Sequence, residues 1–407
     1  MTDLVLFTAQ YPYGVVGETF LESEVPVLAR RFRRVVVLPH SVVAGRRSTP
    51  ANVEVLVMPW VNGPSRVTRF SALASREAAV VLRSTFGLGG DRIRDARAAR
   101  LGVDILTRNI DKYRQLVTWI PAQGLADAVF YDYWFENSTV ALALLRRFGH
   151  VRSAIARAHN FDVFDDEADG LTVPFRRFKA LELDAVAPTS IAAARHLAAR
   201  VPAARDKLHV HPLGVPDPGV VRVSDATPGA ARLIVTCSSF APYKRMAMVP
   251  EVFSHLDVPF RWVHIGDGPG RAEVEDLAER LLPQGTFEFL GQLRNNQVID
   301  FYRSTPVAAL LSVSSCEGLP VSMMEAQSYG IPIVATDVGG VREIVRPETG
   351  VLVSESAEPR QVARALQTAT APGTFDPCLI REHWLHRFEA DSNYEQFADF
   401  LLTIHQR

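Results

Sequence analysis

At 407 residues, 22% of them charged and with a formal net charge of -1, the chain exceeds one typical domain and offers no bulk charge with which to hold nucleic acid. Its three cysteines, Cys237, Cys316 and Cys378, are far apart and form no C-x-x-C, so they suggest neither a disulfide framework nor a zinc knuckle and fit a reducing compartment. No apolar run approaches the roughly 18 residues of a membrane span, and Met1-Thr2-Asp3 lacks a basic n-region, so a soluble cytoplasmic protein is expected.

In chain order, apolar β-type runs fall at Leu4 to Ala9, Val35 to Leu38, Val53 to Met58, Ala128 to Tyr133, Ala154 to Ala158 and Ala185 to Pro188, with helical patterns between most of them. The first turn after a strand, Tyr13 to Glu18, holds only a G-x-x-G, Gly14 and Gly17, and the second strand ends in Pro39-His40 without the acidic residue of a ribose-binding dehydrogenase site. From about 66 to 120 no strand is evident. That insert reads as two or more helices, one carrying Arg92, Arg94, Arg97 and Arg100; it is a solvated face or a surface for an anionic acceptor or membrane leaflet. His159 ends a predicted strand, a position that suits a structural role as well as a functional one. Asp166 to Asp169 spells "DEAD", but the chain has no G-x-x-x-x-G-K-[ST] loop to hold a nucleotide for helicase chemistry. His209 and His211 share a face of an extended segment, with no third metal ligand indicated.

The Pro/Gly cluster His211 to Gly219 marks a linker. Beyond it the alternation resumes, with runs at Leu233 to Cys237, Trp262 to Ile265, Phe287 to Leu290, Val307 to Leu311, Ile333 to Ala335 and Val351 to Val353. Two doubly wound α/β domains follow, with the main cleft expected between them. We place them at 1–212, with the helical insert, and at 213–385, leaving 386–407 as a C-terminal helix that packs back on the first. Gly266-Asp267-Gly268-Pro269-Gly270 is no dinucleotide fingerprint, because Pro269 removes an amide and the spacing is wrong. No G-x-S-x-G nucleophile is present. In "SCEGLPVSMME", Glu317 sits in a loop before a helix that suits Pro320, and Glu325 lies between one and two turns into it. By residues alone, the pair reads equally well as solvated carboxylates near a helix start.

Those glutamates form an E-x7-E, and around them stand "IGDGPG", "FLGQL", "EAQSYGIPIVATDVGGVREIV" and "TGVLV". In order and spacing the second half resembles the nucleotide-sugar domain of retaining GT-B glycosyltransferases of family GT4. The first half, through "YPYGVVGETFLESE", "YDYWFENSTVALALL" and "RAHNFDVFDDEADGLTVPFRRF", is similar to the branch containing colanic acid and other exopolysaccharide glycosyltransferases.

The resemblance implies a GT-B fold, two Rossmann-like domains facing across a cleft, and a retaining hexosyltransferase needing neither metal nor cofactor. Its co-substrate would be a UDP- or GDP-sugar. Its acceptor would be a saccharide, free or lipid-linked, with peripheral membrane contact and no nucleic acid. In the family the second glutamate takes the ribose hydroxyls and the first contacts the donor sugar, which assigns Glu325 and Glu317 in turn. Lys244 falls on the phosphate lysine, and it is one of only four lysines beside forty arginines. Ser238-Ser239-Phe240 replaces the usual Gly-Arg-Leu, so Arg245 is the candidate second cation. His159 would lie near donor sugar and phosphate; amides after Gly318, at Leu319 and the helix behind Pro320, would face sugar or phosphate; Gly14, Gly17 and Gly268 would allow close approach. The rivals are a glycosyltransferase acting on a small metabolite or glycolipid, and a catalytically silent GT-B subunit that only binds nucleotide.

Overall fold

The computed structural model describes residues 1–14, 17–60, 65–86, 96–136, 138–164, 173–220 and 230–407. Arg92, Arg94, the side chain of Arg97 and the 166–169 tetrad lie outside the described residues. The chain divides into two units, Met1–Pro212 with Asn393–Arg407, and Leu213–Ser392.

Every predicted strand is present. The first unit holds β1 (Leu4–Thr8), β2 (Val35–Pro39), β3 (Val53–Val55), β4 (Val129–Asp132), β5 (Ser153–Ala158) and β6 (Ala185–Pro188), paired in the order β3-β2-β1-β4-β5-β6. The second repeats the plan with β7 (Arg232–Cys237), β8 (Phe260–Ile265), β9 (Phe287–Phe289), β10 (Ala309–Ser312), β11 (Ile333–Thr336) and β12 (Gly350–Val353), in the order β12-β11-β10-β7-β8-β9. All pairings between these strands are parallel. In each sheet the chain winds outward from a central strand, then returns to build the other half. That reversal leaves a crevice at the carboxyl ends of β1 and β4, and again of β7 and β10, where such sheets bind ligands.

Helices cover both faces of the first sheet, so alternate strand residues enter different cores. Val5 and Phe7 pack with Ile110, Tyr113 and Leu144, whereas Leu4 and Leu6 pack with Leu21, Val25 and Leu28. The insert forms helices Arg66–Leu73, Arg76–Phe86 and Ala96–Ala122. Arg100 is exposed, yet the long helix is chiefly a core element: Leu106, Ile110, Tyr113, Leu116 and Ile120 recur at helical spacing and are buried under the sheet.

The last helix, Ala390–Gln406, begins in the second unit and continues into the first. Its Phe397, Ala398, Leu401 and Ile404 complete the core beneath Leu4 and Leu6. His209 and His211 serve that seam: the His209 ring lies 5.0 Å from Phe400, and that of His211 4.4 Å from Phe400 and 5.3 Å from Phe397. Burial lowers both imidazoles below the ordinary range, His211 to about 4, so at neutral pH they are packed as uncharged rings. No helix among the described residues is long and apolar enough to cross a membrane.

Candidate active site

In the second unit the loops after β7 and β10 are tied together at the crevice. Tyr243 O accepts the Ser315 amide at 2.8 Å. Lys244 Nζ donates to Glu317 Oε1 at 2.5 Å, and Ser314 Oγ donates to the same oxygen at 2.7 Å. Arg245 has its guanidinium committed to the loop backbone: Nε donates to Val313 O at 2.6 Å, one terminal nitrogen to Glu355 O at 2.8 Å and the other to Ser314 O at 3.3 Å. To serve as a phosphate ligand it would have to leave those carbonyls. Its φ of 50° lies in the left-handed region, which costs a non-glycine residue about 1–2 kcal/mol and which these bonds offset.

The second glutamate is held differently. Pro320 immediately precedes the helix Val321–Ser328, whose second turn carries Glu325 in a buried position. Asn295, the first residue of helix Asn295–Ser304, donates Nδ2 to Glu325 Oε1 at 2.5 Å. Burial raises the Glu325 carboxyl to about 7, against the opposing effect of Asn295. A carboxyl poised there gains acceptor strength when it ionises, and a vicinal diol supplies two donors to an ionised carboxylate.

Gly339 and Gly340 set the backbone of Glu317. Gly340 N–H donates to Gly318 O at 2.9 Å. Gly339 has φ of +50°, and a Cβ on it would stand 1.7 Å from Glu317 O, so only glycine lets the two loops meet. Gly373, at φ +75°, has nothing within 4 Å of such a Cβ. Gly339→Ala should therefore cost the left-handed penalty plus an overpacking cost of about 1–3 kcal/mol, while Gly373→Ala costs the first alone. Equal losses for the two variants in urea unfolding would rule out the close contact at Glu317. Leu319 is buried, and Gly268 packs on Phe240, whose amide would be 3.1 Å from an added Cβ. Gly268 thus shapes the loop after β7.

In the first unit, Gly14 and Gly17 lie in a loop organised by two residues not foreseen from the sequence. Glu18 accepts the amides of Ala9, Gln10 and Tyr11 at 2.9, 2.7 and 2.7 Å and the Trp134 indole N–H at 2.7 Å. Arg47 donates to the carbonyls of Gly14, Gly17 and Glu18. His159 follows β5 and is buried, its ring centre 4.4 Å from that of Trp134 and tilted 43° to it. Its Nε2 lies 2.9 Å from Tyr133 O. A carbonyl only accepts, so Nε2 carries the proton and Nδ1 is an acceptor. Burial first, and the Arg157 charge second, lower His159 to about 3, which keeps it neutral. Asp162 joins the β4 and β5 loops by accepting the amides of Phe135 and His159 at 2.9 and 2.7 Å.

Glu18, Asp162, Asn295 and Gly339 are thus not singled out by sequence pattern. An acidic residue a few positions beyond a strand end, and an asparagine opening a helical pattern, are the signals available. Both are too common to select these four. Among the described residues no group of three or more His, Cys, Asp and Glu side chains is arranged to hold a metal.

Residues 222–371 match the family model described as glycosyl transferases group 1. A protein named as a colanic acid biosynthesis glycosyltransferase, WcaL of Salmonella typhimurium, is 26% identical over 323 residues, 76% of this chain and 79% of its own. Among solved structures, sucrose-phosphate synthase of Thermosynechococcus elongatus has a TM-score of 0.74 over 100% of both chains at 15% identity. HepE of Anabaena, solved with UDP, has a TM-score of 0.65 over 99% of this chain and 100% of its own at 14% identity. At these identities the structural likeness carries the fold, which is GT-B.

Proposed function

We propose that this chain, a glycosyltransferase of the GT-B fold whose second unit matches the group 1 glycosyl transferase family, moves a hexose from a nucleotide sugar to a saccharide acceptor with retention at the anomeric carbon. The pathway we favour is assembly of an exopolysaccharide or capsule, as the name of the WcaL relative suggests for that protein. The observation that supports the donor reading best is the grouping of Lys244, Glu317 and Glu325 around the carboxyl ends of β7 and β10. An ammonium suits a diphosphate, and two carboxylates suit two sets of hydroxyls. In this scheme Lys244 and the amides from Gly318 to the start of helix Val321–Ser328 meet the leaving diphosphate, Glu325 holds the ribose diol, and Glu317 holds the donor sugar. His159 Nδ1 accepts from a sugar hydroxyl. Arg245 positions the loop that carries Glu317. A lipid-linked acceptor would bring peripheral membrane contact.

Thermal shifts against UDP, GDP, ADP and dTDP test the reading, since a ligand at 100 times its dissociation constant stabilises by about 2.7 kcal/mol. UDP or GDP is expected to shift the melt, and no shift with any of the four would end the donor assignment. Because cations of the protein are assigned to the diphosphate, transfer should persist in EDTA; restoration of a lost activity by more than about tenfold with Mg²⁺ or Mn²⁺ would replace that mechanism by a metal-assisted one.

The Glu325 assignment carries a pH signature. Its carboxyl is raised in the folded chain to about 7, so it is protonated over the window between the ordinary glutamate value and 7, where the unfolded chain is already ionised. Stability from this group is thus present at low pH and lost as pH rises through 7. Binding runs the other way: the ribose diol needs the ionised form, so nucleoside diphosphate affinity should fall as pH drops from 8 to 6, with proton release. In Glu325→Gln the part of that dependence due to the carboxyl should vanish and affinity should drop by roughly 1.5–3 kcal/mol at pH 8. The titration of the diphosphate itself is common to both proteins and cancels. Parallel pH profiles for the two would separate Glu325 from the ribose.

A further inference from the structure

Lys244 and Glu317, assigned to different parts of the donor, are bound to each other. Their 2.5 Å contact is largely shielded, with side-chain exposures of 16% and 7%, and Ser314 holds the same carboxylate oxygen from the other side. A phosphate that approaches the Lys244 ammonium therefore competes with the Glu317 carboxylate for it. It also brings its own negative charge close to that carboxylate, in surroundings that screen poorly.

We propose that Glu317 is an intramolecular competitor for Lys244, so that the site disfavours the free nucleoside diphosphate and favours the same diphosphate carrying a sugar. This rests on the donor reading of the site. A nucleoside diphosphate displaces Glu317 and offers it nothing in return. A nucleotide sugar displaces it and supplies hydroxyl donors to the freed carboxylate, which offsets the lost ion pair. Product is thereby released more readily than donor, by a device made of two side chains. If Glu317 touched only the sugar and had no hold on Lys244, its removal would leave nucleoside diphosphate affinity unchanged.

Calorimetry on the full chain decides between these, with UDP, GDP and inorganic pyrophosphate as probes. Glu317→Gln and Glu317→Ala should bind the nucleoside diphosphate at least fivefold tighter than wild type, and either variant suffices if the other does not fold. Pyrophosphate should show the same gain, since the competition involves no base or ribose. In a Lys244→Ala background the Glu317→Gln gain should disappear. Unchanged or weaker binding in both Glu317 variants overturns the proposal. A full gain that persists without Lys244 also overturns it, because general charge repulsion would then explain the effect. Failure of wild type to bind either nucleoside diphosphate would instead show in the first arm, and would fail the donor reading and this proposal together.

Discussion

Arg157→Ala is expected to destabilise the first unit by about 3–5 kcal/mol, the range for removing one partner of a buried ion pair. The side chain rises from β5 and is fully buried. Its Nε donates to Tyr131 Oη at 2.9 Å and a terminal nitrogen to Glu24 Oε1 at 3.3 Å, while Tyr131 Oη donates to the same Glu24 oxygen at 3.0 Å. The guanidinium also lies 3.9 Å from the centre of the Phe397 ring of the last helix, a desolvated cation–π contact of about 2 kcal/mol or more. Four elements therefore meet at one cation. Alanine would leave Glu24 as an uncompensated carboxylate beneath the last helix, whereas Arg157→Met with Glu24→Leu removes both charges and should recover most of the loss. Urea unfolding measures the cost, and hydrogen exchange over 393–406 should report early opening of the helix in the single variant. A loss below about 1 kcal/mol in Arg157→Ala, or a double variant as unstable as the single, would show that the cluster contributes little.

Lys244→Ala should lower transfer by about 10²–10³-fold, or 2.7–4 kcal/mol of barrier, the size of effect that follows removal of one preorganised group facing developing charge. In the proposed transfer the leaving diphosphate gains charge as the glycosidic bond breaks, and Lys244 is a side-chain ammonium at the junction of the β7 and β10 loops. Lys244→Arg should recover little: the ammonium fits between Glu317 and the Tyr243 turn as a point donor, where a planar fork is longer and differently directed. Single-turnover rates with the donor identified by thermal shift make the measurement. A drop below about fivefold would move the neutralising role to another group, with Arg245 the nearest to test.

With only four lysines in the chain, Lys244 stands out by residue type alone. The other three are equally committed: Lys112 Nζ lies 2.9 Å from His40 Nδ1 and 2.8 Å from Ser138 Oγ, Lys179 Nζ lies 2.8 Å from Phe135 O, and Lys207 Nζ lies 2.7 Å from Leu183 O. Scarcity therefore marks ammonium groups needed inside the protein, where converging carbonyls and hydroxyls suit a tetrahedral donor. It does not by itself separate the phosphate candidate from three structural cations.

What the chain's own pattern determined was its periodicity. Parallel strands buried on both faces must be nearly continuous apolar runs, so β1 through β12 were legible one by one, and their alternation with helices dictated two doubly wound sheets. The E-x7-E was legible too, since Pro320 announces a helix start and fixes Glu325 on the turns behind it. Local pattern could not assign partners. Lys244 and Glu317 are 73 residues apart, and Asn295 and Glu325 are 30 apart; they meet because winding out and back from a central strand brings separate loops to one crevice. Arg245 carries the same charge on any reading of the sequence, but packing decides that its guanidinium faces three carbonyls. The arginines of the insert suggested a basic face, and Arg100 is exposed; what packing adds is that the helix Ala96–Ala122 turns its apolar stripe into the core. Composition tells which groups must be hidden or solvated; only the tertiary structure, by bringing distant loops within hydrogen-bonding distance, decides which charge each one answers.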